Sequence, residues 1–258
     1  MLLAVDAGNT NVTFAVYGDD GKLKGEWRSS TKGARTADEY AVWLGQLFYQ
    51  NDLTTDDIDN IIIATVVPAG LFDLQNLARK SFNCEPRVVG DDELDLGLEV
   101  KVDKPGEVGS DRLVNAVAAH DRYGGPLIIV DFGTATTFDV IDATGAYAGG
   151  VIAPGINLSA EALHLAAAQL PRIAVERPDR VVGTDTVSAM KSGIFWGYIG
   201  MIEGMVARIG EEVGGEALKV VATGGLSALF ADHTPIIELA DGDLTLHGLW
   251  LIHQRNRP

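Results

Sequence analysis

Cysteine is nearly absent from this chain of 258 residues, which contains Cys84 and no other cysteine. A single thiol excludes a disulfide within the chain, and it excludes a zinc site built from several cysteines. The sequence also begins directly with an apolar segment that carries Asp6, which leaves no room for a secretory signal peptide. These observations predict a protein of the cytoplasm.

Positive charge is scarce as well. The chain has 20 Lys and Arg against 36 Asp and Glu, which gives a net charge of −16. Proteins that bind the nucleic-acid backbone usually present a basic face, so this balance argues against nucleic acid as a partner. An anionic ligand would have to be held locally, by backbone N–H groups and a few cations.

The sequence has no uninterrupted apolar run long enough to cross a bilayer. The nearest approach, from Val187 to Ile209, is interrupted by Lys191 and Glu203. At 47% hydrophobic residues there is nevertheless ample material for packed cores. We therefore expect a soluble protein without a membrane partner.

One short motif is present twice: an apolar run ends in Asp-x-Gly and continues into small hydroxyl and amide residues. The copies are LLAVDAGNTN at residues 2–11 and LIIVDFGTATT at residues 127–137. Each predicts a buried strand and a tight turn, where Gly lets backbone N–H groups approach a phosphate and Thr or Asn adds donors. Asp6 and Asp131 are candidate cation ligands or bases. Their separation of 125 residues, about half of the chain, predicts a duplicated domain with a nucleotide between the halves.

The segments around both copies follow one plan. Alternating apolar residues predict strands that return through the hairpin turns at residues 18–21 and 142–145. Helical spacing of apolar residues is found at 37–51, 70–82, 113–123, 157–169 and 185–213. We place the domain boundary beside the segment Gly109-Ser110-Asp111-Arg112, which gives the domains 1–112 and 113–258.

A third Gly-containing turn follows the predicted strand at residues 218–222. It has the sequence Thr223-Gly224-Gly225 and leads into a helix, so its backbone could lie flat against a ligand. Taken alone, a Gly-Gly pair after a strand is usually a turn and nothing more. After two phosphate turns, Gly224 and Gly225 are predicted to support the adenosine of a bound nucleotide.

Three segments together resemble those of type III pantothenate kinase, a family in the superfamily of acetate and sugar kinases, heat-shock protein 70 and actin. They are Asp6-x-Gly8-Asn9-Thr10-Asn11, Gly109-Ser110-Asp111-Arg112 and Asp131-x-Gly133-Thr134-Ala135-Thr136-Thr137. The first and third are generic for the superfamily, and the second makes the match specific. The resemblance implies an α/β fold of duplicated ribonuclease H-like domains, as in actin-like ATPases, with mixed sheets flanked by helices and an ATP cleft between the halves.

The resemblance also implies an activity, which is the ATP-dependent phosphorylation of pantothenate to 4′-phosphopantothenate, the first step of coenzyme A biosynthesis. It implies a homodimer and a monovalent cation, K⁺ or NH₄⁺. Kinases use ATP with Mg²⁺, and Asp6 could hold Mg²⁺ through water because this ion keeps most of its hydration in kinase sites.

Residue roles carry over from the family in the same way. The ATP-binding residues would be Asp6, Ala7, Gly8, Asn9, Thr10, Asn11, Val12, Thr13 and Thr134. The residues that bind pantothenate would be Gly109, Ser110, Asp111, Arg112 and Thr186. Asp111 would accept the proton of the substrate hydroxyl, and Asp131 would hold the monovalent cation. The chain departs from the family at Ser110, where Ala is more frequent, and it has no counterpart near Glu99 and Val100 of an aromatic substrate contact found in some members.

Plainer interpretations exist for the same residues. Ser110 or Asp111 could cap the helix that begins near Leu113, and Asp6 or Asp131 could be Asx-turn residues that end a strand. Two other functions also stay open. The chain could be a kinase for another small hydroxylated metabolite, or a non-catalytic regulatory or accessory protein on the same fold.

Four glycines share one face of the predicted helix at residues 185–213. They are Gly193, Gly197, Gly200 and Gly204. Each costs about 0.5–1 kcal/mol relative to Ala in a helix interior, so close packing must offset them. We expect this packing inside the chain or against a second subunit.

Overall fold

Two five-stranded sheets carry the two copies of the repeated motif in a computed structural model that describes residues 1–33, 35–167, 169–214 and 218–257. The strands are β1 (Leu2–Ala7), β2 (Asn11–Tyr17), β3 (Leu23–Ser30), β4 (Asn60–Thr65), β5 (Arg87–Val88), β6 (Leu127–Phe132), β7 (Ala135–Ile141), β8 (Tyr147–Pro154), β9 (Lys219–Gly224) and β10 (Leu239–Ala240). The helices are α1 (Ala37–Tyr49), α2 (Pro68–Ser81), α3 (Ser110–Tyr123), α4 (Ile156–Ala166), α5 (Thr186–Val213), α6 (Ser227–Ala231) and α7 (Leu244–Arg255).

The two sheets have the same topology. Their strand orders are β3-β2-β1-β4-β5 and β10-β9-β6-β7-β8. In the first sheet β1 pairs antiparallel with β2 and parallel with β4, and in the second β6 pairs antiparallel with β7 and parallel with β9. Each Asp-x-Gly strand is therefore the central strand of its sheet. Mixed sheets flanked by helices confirm the predicted fold class, and the repeated topology matches the predicted duplication.

The first unit comprises Met1–Arg122 and Asp243–Pro258. Side chains alternate across β1, so that Leu3 and Val5 pack with α1 and α2, whereas Leu2 and Ala4 pack on the opposite face with α3 and α7. A capping box between Thr36 and Glu39 fixes the start of α1. The sheet of the first unit is thus covered by helices on both faces.

The second unit comprises Tyr123–Gly242. Its core lies on one face of the second sheet, where Ile128, Val130 and Phe138 pack with residues of α4, α5 and α6. Phe230 on α6 stacks on Phe132, the last residue of β6, with ring centroids 4.9 Å apart. This contact fixes the backbone immediately before the second turn.

The division into units differs from the predicted domains 1–112 and 113–258. Helix α3 belongs with the first sheet because Val114 packs in one core with Leu2 and Ala4. Helix α7, which the sequence analysis did not identify, returns to the same core through Leu249 and Ile252. The predicted helix at residues 157–169 corresponds to α4, and its predicted end crosses Ala168, which lies outside the described residues.

Candidate active site

The first turn joins β1 to β2 and is braced by β3. The N–H of Gly8 donates to the carbonyl of Asn11 at 2.9 Å, which closes the turn. From the end of β3, Thr31 donates its N–H to the carbonyl of Thr10 at 2.9 Å and its hydroxyl to the carbonyl of Gly8 at 2.7 Å. Three carbonyls thus have fixed directions, and the turn has one conformation in which to meet a ligand.

The predicted ATP-binding residues of this turn differ in what they can offer. The side chains of Asn9, Thr10 and Asn11 are exposed at the turn. Those of Ala7, Val12 and Thr13 are buried, so these residues can meet a ligand only through their backbone.

The Gly109–Arg112 segment is fastened to the same end of the sheet. Ala7 of β1 pairs with Thr65 of β4, and the hydroxyl of Ser110 donates to the carbonyl of Thr65 at 3.0 Å. The first turn of α3 therefore lies at the carboxyl end of β4, beside the strand that carries Asp6. The hydroxyl of Ser110 is used for this contact, which argues against the interpretation of Ser110 as a helix cap.

The carboxylate of Asp111 folds back over Gly109. Its Oδ1 accepts the N–H of Arg112 at 2.8 Å, and a Cβ at Gly109 would lie 2.6 Å from the same oxygen. Only glycine at position 109 leaves Asp111 where it is. An acidic residue in the first turn also interacts favourably with the N-terminal end of the α3 dipole.

Electrostatics couple Asp6 to this segment. Burial, reinforced by the negative charge of Asp111 and opposed by the positive charge of Arg28, raises the pKa of Asp6 to about 7. The negative charge of Asp111 thus acts on Asp6 and disfavours its ionisation. A cation held beside Asp6 would favour its ionised form.

The second turn joins β6 to β7 and is closed by the equivalent bond. The N–H of Gly133 donates to the carbonyl of Ala135 at 3.0 Å, and the N–H of Gly155 donates to the carbonyl of Thr134 at 3.1 Å. A side chain at Gly155 would collide with the backbone of Gly133 and Thr134. The absence of a Cβ at position 155 therefore allows the start of α4 to approach the turn.

Asp131 and Gly224 meet at the carboxyl ends of β6 and β9. Gly224 has φ = +86°, and a Cβ there would lie 2.6 Å from Oδ1 of Asp131 and 2.7 Å from the carbonyl oxygen of Phe132. Two oxygens converge on a position that only glycine can occupy. The hydroxyl of Ser227 donates to the carbonyl of Gly224 at 2.8 Å, which fixes Gly225 and the start of α6.

Thr186 is the first residue of α5, directly after Asp185, whose carboxylate accepts the N–H of Ser188 at 3.0 Å as the N-cap. It is exposed, and it lines a groove of about 560 Å³ between α4 and α5. The other lining residues are Leu163, Leu170, Ala189, Met190, Gly193 and Ile194. The groove is largely apolar, and the hydroxyl of Thr186 adds a polar group to it.

Three residues of the first unit that support the site are not identified by any motif in the sequence. Thr31 braces the first turn, Thr65 holds Ser110, and Arg28 acts on the pKa of Asp6. The alternation along β3 could have identified the face on which Arg28 lies. No local signal connects Thr65 with Ser110, since 45 residues separate them.

The donors present fit a magnesium ion that is bound mainly by water and phosphate. Across the described ranges, no three His, Cys, Asp or Glu side chains come together as metal ligands. Mg²⁺ in kinase sites is typically held by one or two carboxylates together with substrate phosphates, and Asp6 beside Asp111 meets this requirement.

None of the helices described has the length and apolar character to span a membrane.

Comparisons with solved structures support the fold. A protein of Campylobacter jejuni described as a Baf family transcriptional activator superposes with a TM-score of 0.64 at 19% identity, covering 98% of both chains. A protein of Sinorhizobium meliloti described as a 2-dehydro-3-deoxygalactonokinase has a TM-score of 0.60 at 16% identity, covering 100% of this chain and 97% of the other. At such identities the likeness establishes the shared fold alone.

Comparisons of sequence are closer. The family model for type III pantothenate kinase matches residues 2–208. The type III pantothenate kinase of Paramagnetospirillum magneticum is 62% identical over 256 residues, 99% of this chain and 98% of the relative. That of Rhodospirillum rubrum is 58% identical over 258 residues, the full length of both. The chain therefore belongs to the type III pantothenate kinase family.

Proposed function

We propose that Asp111 is the proton acceptor in the reaction of this chain, the ATP-dependent phosphorylation of pantothenate to 4′-phosphopantothenate, the first step of coenzyme A biosynthesis. The observation that carries this assignment is the bond from Ser110 to Thr65, which fastens the Gly109–Arg112 segment beside Asp6. The acidic group that can take a proton is thereby held at the carboxyl end of the strand that leads into the first phosphate turn.

The chemistry requires little more than positioning. The hydroxyl oxygen of pantothenate forms a bond to the γ-phosphorus of ATP, the bond from that phosphorus to the β,γ-bridging oxygen breaks, and ADP leaves. Because the transition state of phosphoryl transfer is loose, the hydroxyl loses its proton late. Asp111 therefore orients the hydroxyl and accepts the proton, and it does not need to be a strong base. Arg112 offers a planar, rigid donor to the oxygens of pantothenate.

Both turns contribute to ATP binding in this proposal. Residues 6–13 and Thr134 would contact the phosphates, and Gly224 with Gly225 would support the adenosine. Bracing by Thr31 supports the first assignment, since a turn with fixed carbonyls also has fixed N–H directions. Asp6 would hold Mg²⁺ through water, and the ion would neutralise phosphate charge.

The monovalent cation is assigned to Asp131. The carboxylate of Asp131 and the carbonyl oxygen of Phe132 lie at one strand end beside Gly224, and oxygen atoms are the ligands that hard cations prefer, which supports this role. A potassium or ammonium ion there would offset phosphate charge in a protein of net charge −16.

We further propose that the enzyme is a homodimer of the cytoplasm with α5 in its interface. Among the described residues, no atom lies within 4 Å of the Cβ position at Gly193, Gly197 or Gly200, so their face of α5 has no packing partner within one chain. The apolar groove beside it and the exposed Val187 support a second copy as the partner. Thr186 would then reach pantothenate in the neighbouring subunit.

A coupled assay of ADP release tests the reaction. We expect pantothenate to stimulate ATP turnover, and we expect acetate, glucose and glycerol to leave it at the background rate. Glucose phosphorylation with pantothenate inert would overturn the proposal. A protein that binds ATP but turns over none of the four compounds would favour the regulatory alternative.

A further inference from the structure

Arg28 lies in a row of paired residues that begins at Asp6. Asp6 of β1 pairs with Thr13 of β2, and Thr13 pairs with Arg28 of β3. Directly paired residues of neighbouring strands project from the same face of a sheet. The side chain of Arg28 therefore shares a face with that of Asp6.

This face is the one that α3 covers. Ala4 and Ala15 lie two positions before Asp6 and two positions after Thr13, on the same face as these residues, and both pack in one core with Val114 of α3. The first turn of α3 carries Asp111. Arg28, Asp6 and Asp111 are thus on one side of the first sheet.

The distance is within the reach of an arginine. Neighbouring strands are about 4.8 Å apart, so the Cα atoms of Asp6 and Arg28 are separated by roughly 10 Å, with one strand between them. Thr13, the residue between them, has a short, buried side chain. The effect of the Arg28 charge on the pKa of Asp6 agrees with this placement.

The guanidinium group of Arg28 is weakly engaged within the chain. Its Nη2 lies 3.7 Å from Oε1 of Glu26, and the side chain is 59% exposed. Exposed ion pairs with such geometry contribute about 0–1 kcal/mol. A stronger anion that arrives at the turn can therefore displace Glu26.

The second unit provides a comparison within the same molecule. There Asp131 pairs with Thr137, and Thr137 pairs with Ile152. The position that corresponds to Arg28 is thus occupied by an apolar residue. A positively charged side chain at this position is therefore present in the first unit and absent from the second.

We propose that Arg28 binds the β- and γ-phosphates of ATP at the first turn. The inference rests on the proposed function, because it concerns the same phosphates. A polyphosphate brought beside Asp6 and Asp111 meets two carboxylates, and besides the proposed Mg²⁺ the backbone N–H groups of the turn carry only partial charges to offset them. A guanidinium fork can contact two phosphate oxygens at once and brings a full positive charge.

Calorimetry tests the proposal. The affinities of the full chain for ATP, ADP and AMP are measured for the parent and for Arg28→Gln and Arg28→Lys. The control is Lys24→Gln, which removes the same charge from the other end of β3. We expect Arg28→Gln to weaken ATP binding by about 10- to 100-fold, the effect of losing a charge-assisted hydrogen bond. AMP binding should be unchanged, Arg28→Lys should recover part of the loss, and Lys24→Gln should bind like the parent.

Kinetics separate this inference from the proposed function. In a parent enzyme that phosphorylates pantothenate, Arg28→Gln should raise the KM for ATP and leave the KM for pantothenate unchanged. Unchanged ATP affinity, or equal weakening of ATP and AMP, would overturn the role of Arg28 while the parent activity stands. A parent that does not phosphorylate pantothenate would instead contradict the proposed function, and the calorimetric comparison of ATP with AMP would still decide on Arg28.

Discussion

The two units use one topology to present different groups at the same point. Thr65 ends β4 opposite Ala7, and Gly224 ends β9 opposite Phe132. The carbonyl of each accepts the hydroxyl of a serine that begins a helix, Ser110 for Thr65 and Ser227 for Gly224. The equivalent backbone contact is kept while the side chains around it differ.

The difference at these positions separates two kinds of site. Thr65 has a side chain, whose hydroxyl donates to the carbonyl of Ala7 at 3.3 Å, and the helix held by its carbonyl carries Asp111. Gly224 has none, and two oxygens of β6 converge on it instead. The first unit therefore holds the proposed proton acceptor Asp111 at this point, and the second unit places the carboxylate of Asp131 beside a glycine.

The largest effect on turnover is expected from Asp111, which has no counterpart on the helix that begins at Ser227 in the second unit. Asp111→Asn keeps the size and the oxygen that accepts the Arg112 N–H but removes the charge, so kcat should fall by about 10²–10⁴ while the fold survives. Turnover and thermal unfolding should be measured together. Asp121→Asn, on the exposed part of the same helix, is the control. If Asp111→Asn lost stability but kept normal turnover, Asp111 would have a structural role and would not be the proton acceptor.

Adding a side chain at Gly224 tests how tightly the second unit packs at this point. In Gly224→Ala the positive φ and the overlap with Asp131 should together lower the free energy of unfolding by about 2–4 kcal/mol. Gly33→Ala is the matched control, because Gly33 has φ = +85° but no described atom within 4 Å of its Cβ position. It should lose about 1–2 kcal/mol. Equal losses in urea unfolding would mean that Asp131 does not crowd Gly224.

Helix α7 is present only in the first unit, and it carries a buried histidine. Burial, together with the nearby positive charges of Arg257 and Arg87, lowers the pKa of His253 to about 4. Below the ordinary pKa of about 6.5, the unfolded chain takes up a proton that the folded chain excludes. The free energy of unfolding should therefore fall by up to about 3 kcal/mol from pH 6.5 to pH 4.

The measurement for His253 is urea unfolding of the parent and His253→Gln across this pH range. The variant should show a flatter dependence on pH than the parent. A parent and a His253→Gln protein with the same slope would show that the ring is protonated as easily in the fold as in the unfolded chain.

The open glycine face is a property of the second unit. Gly197→Leu should overpack the proposed dimer contact by about 1–3 kcal/mol, and it should lower dimerisation and turnover together. Gly45→Leu on α1, where no described atom lies within 4 Å either, should leave both unchanged. Light scattering beside turnover across a dilution series checks this. A fully active parent monomer would refute the shared site.

Much of the fold could be predicted because its signals are local. Period-2 alternation and Gly turns identify the hairpins, and the Gly-x-Asp-Arg segment between two phosphate turns identifies the family and its reaction. The two copies do not superpose residue for residue because the second turn is one residue shorter. Asp131 follows Asp6 by 125 residues, but Thr137, which pairs with Asp131, follows Thr13 by 124.

The rest depends on contacts between distant parts of the sequence. Helix α7 joins the first unit after the whole second unit has intervened, so no boundary between consecutive segments could describe it. The places of Arg28 and Thr65 follow from strand register, which a single sequence does not give. The convergence on Gly224 requires the parallel pairing of β6 with β9, whose residues are about 90 positions apart in the chain.

The division of roles between the two aspartates can be tested by one measurement, the ratio of turnover in potassium to turnover in sodium at constant ionic strength. It should be determined for the parent, Asp6→Asn and Asp131→Asn. We expect a high ratio for the parent, the same ratio at a lower rate for Asp6→Asn, and a ratio near one for Asp131→Asn. A parent that is equally active in both salts, or an Asp131→Asn protein that keeps the parent's ratio, would contradict it.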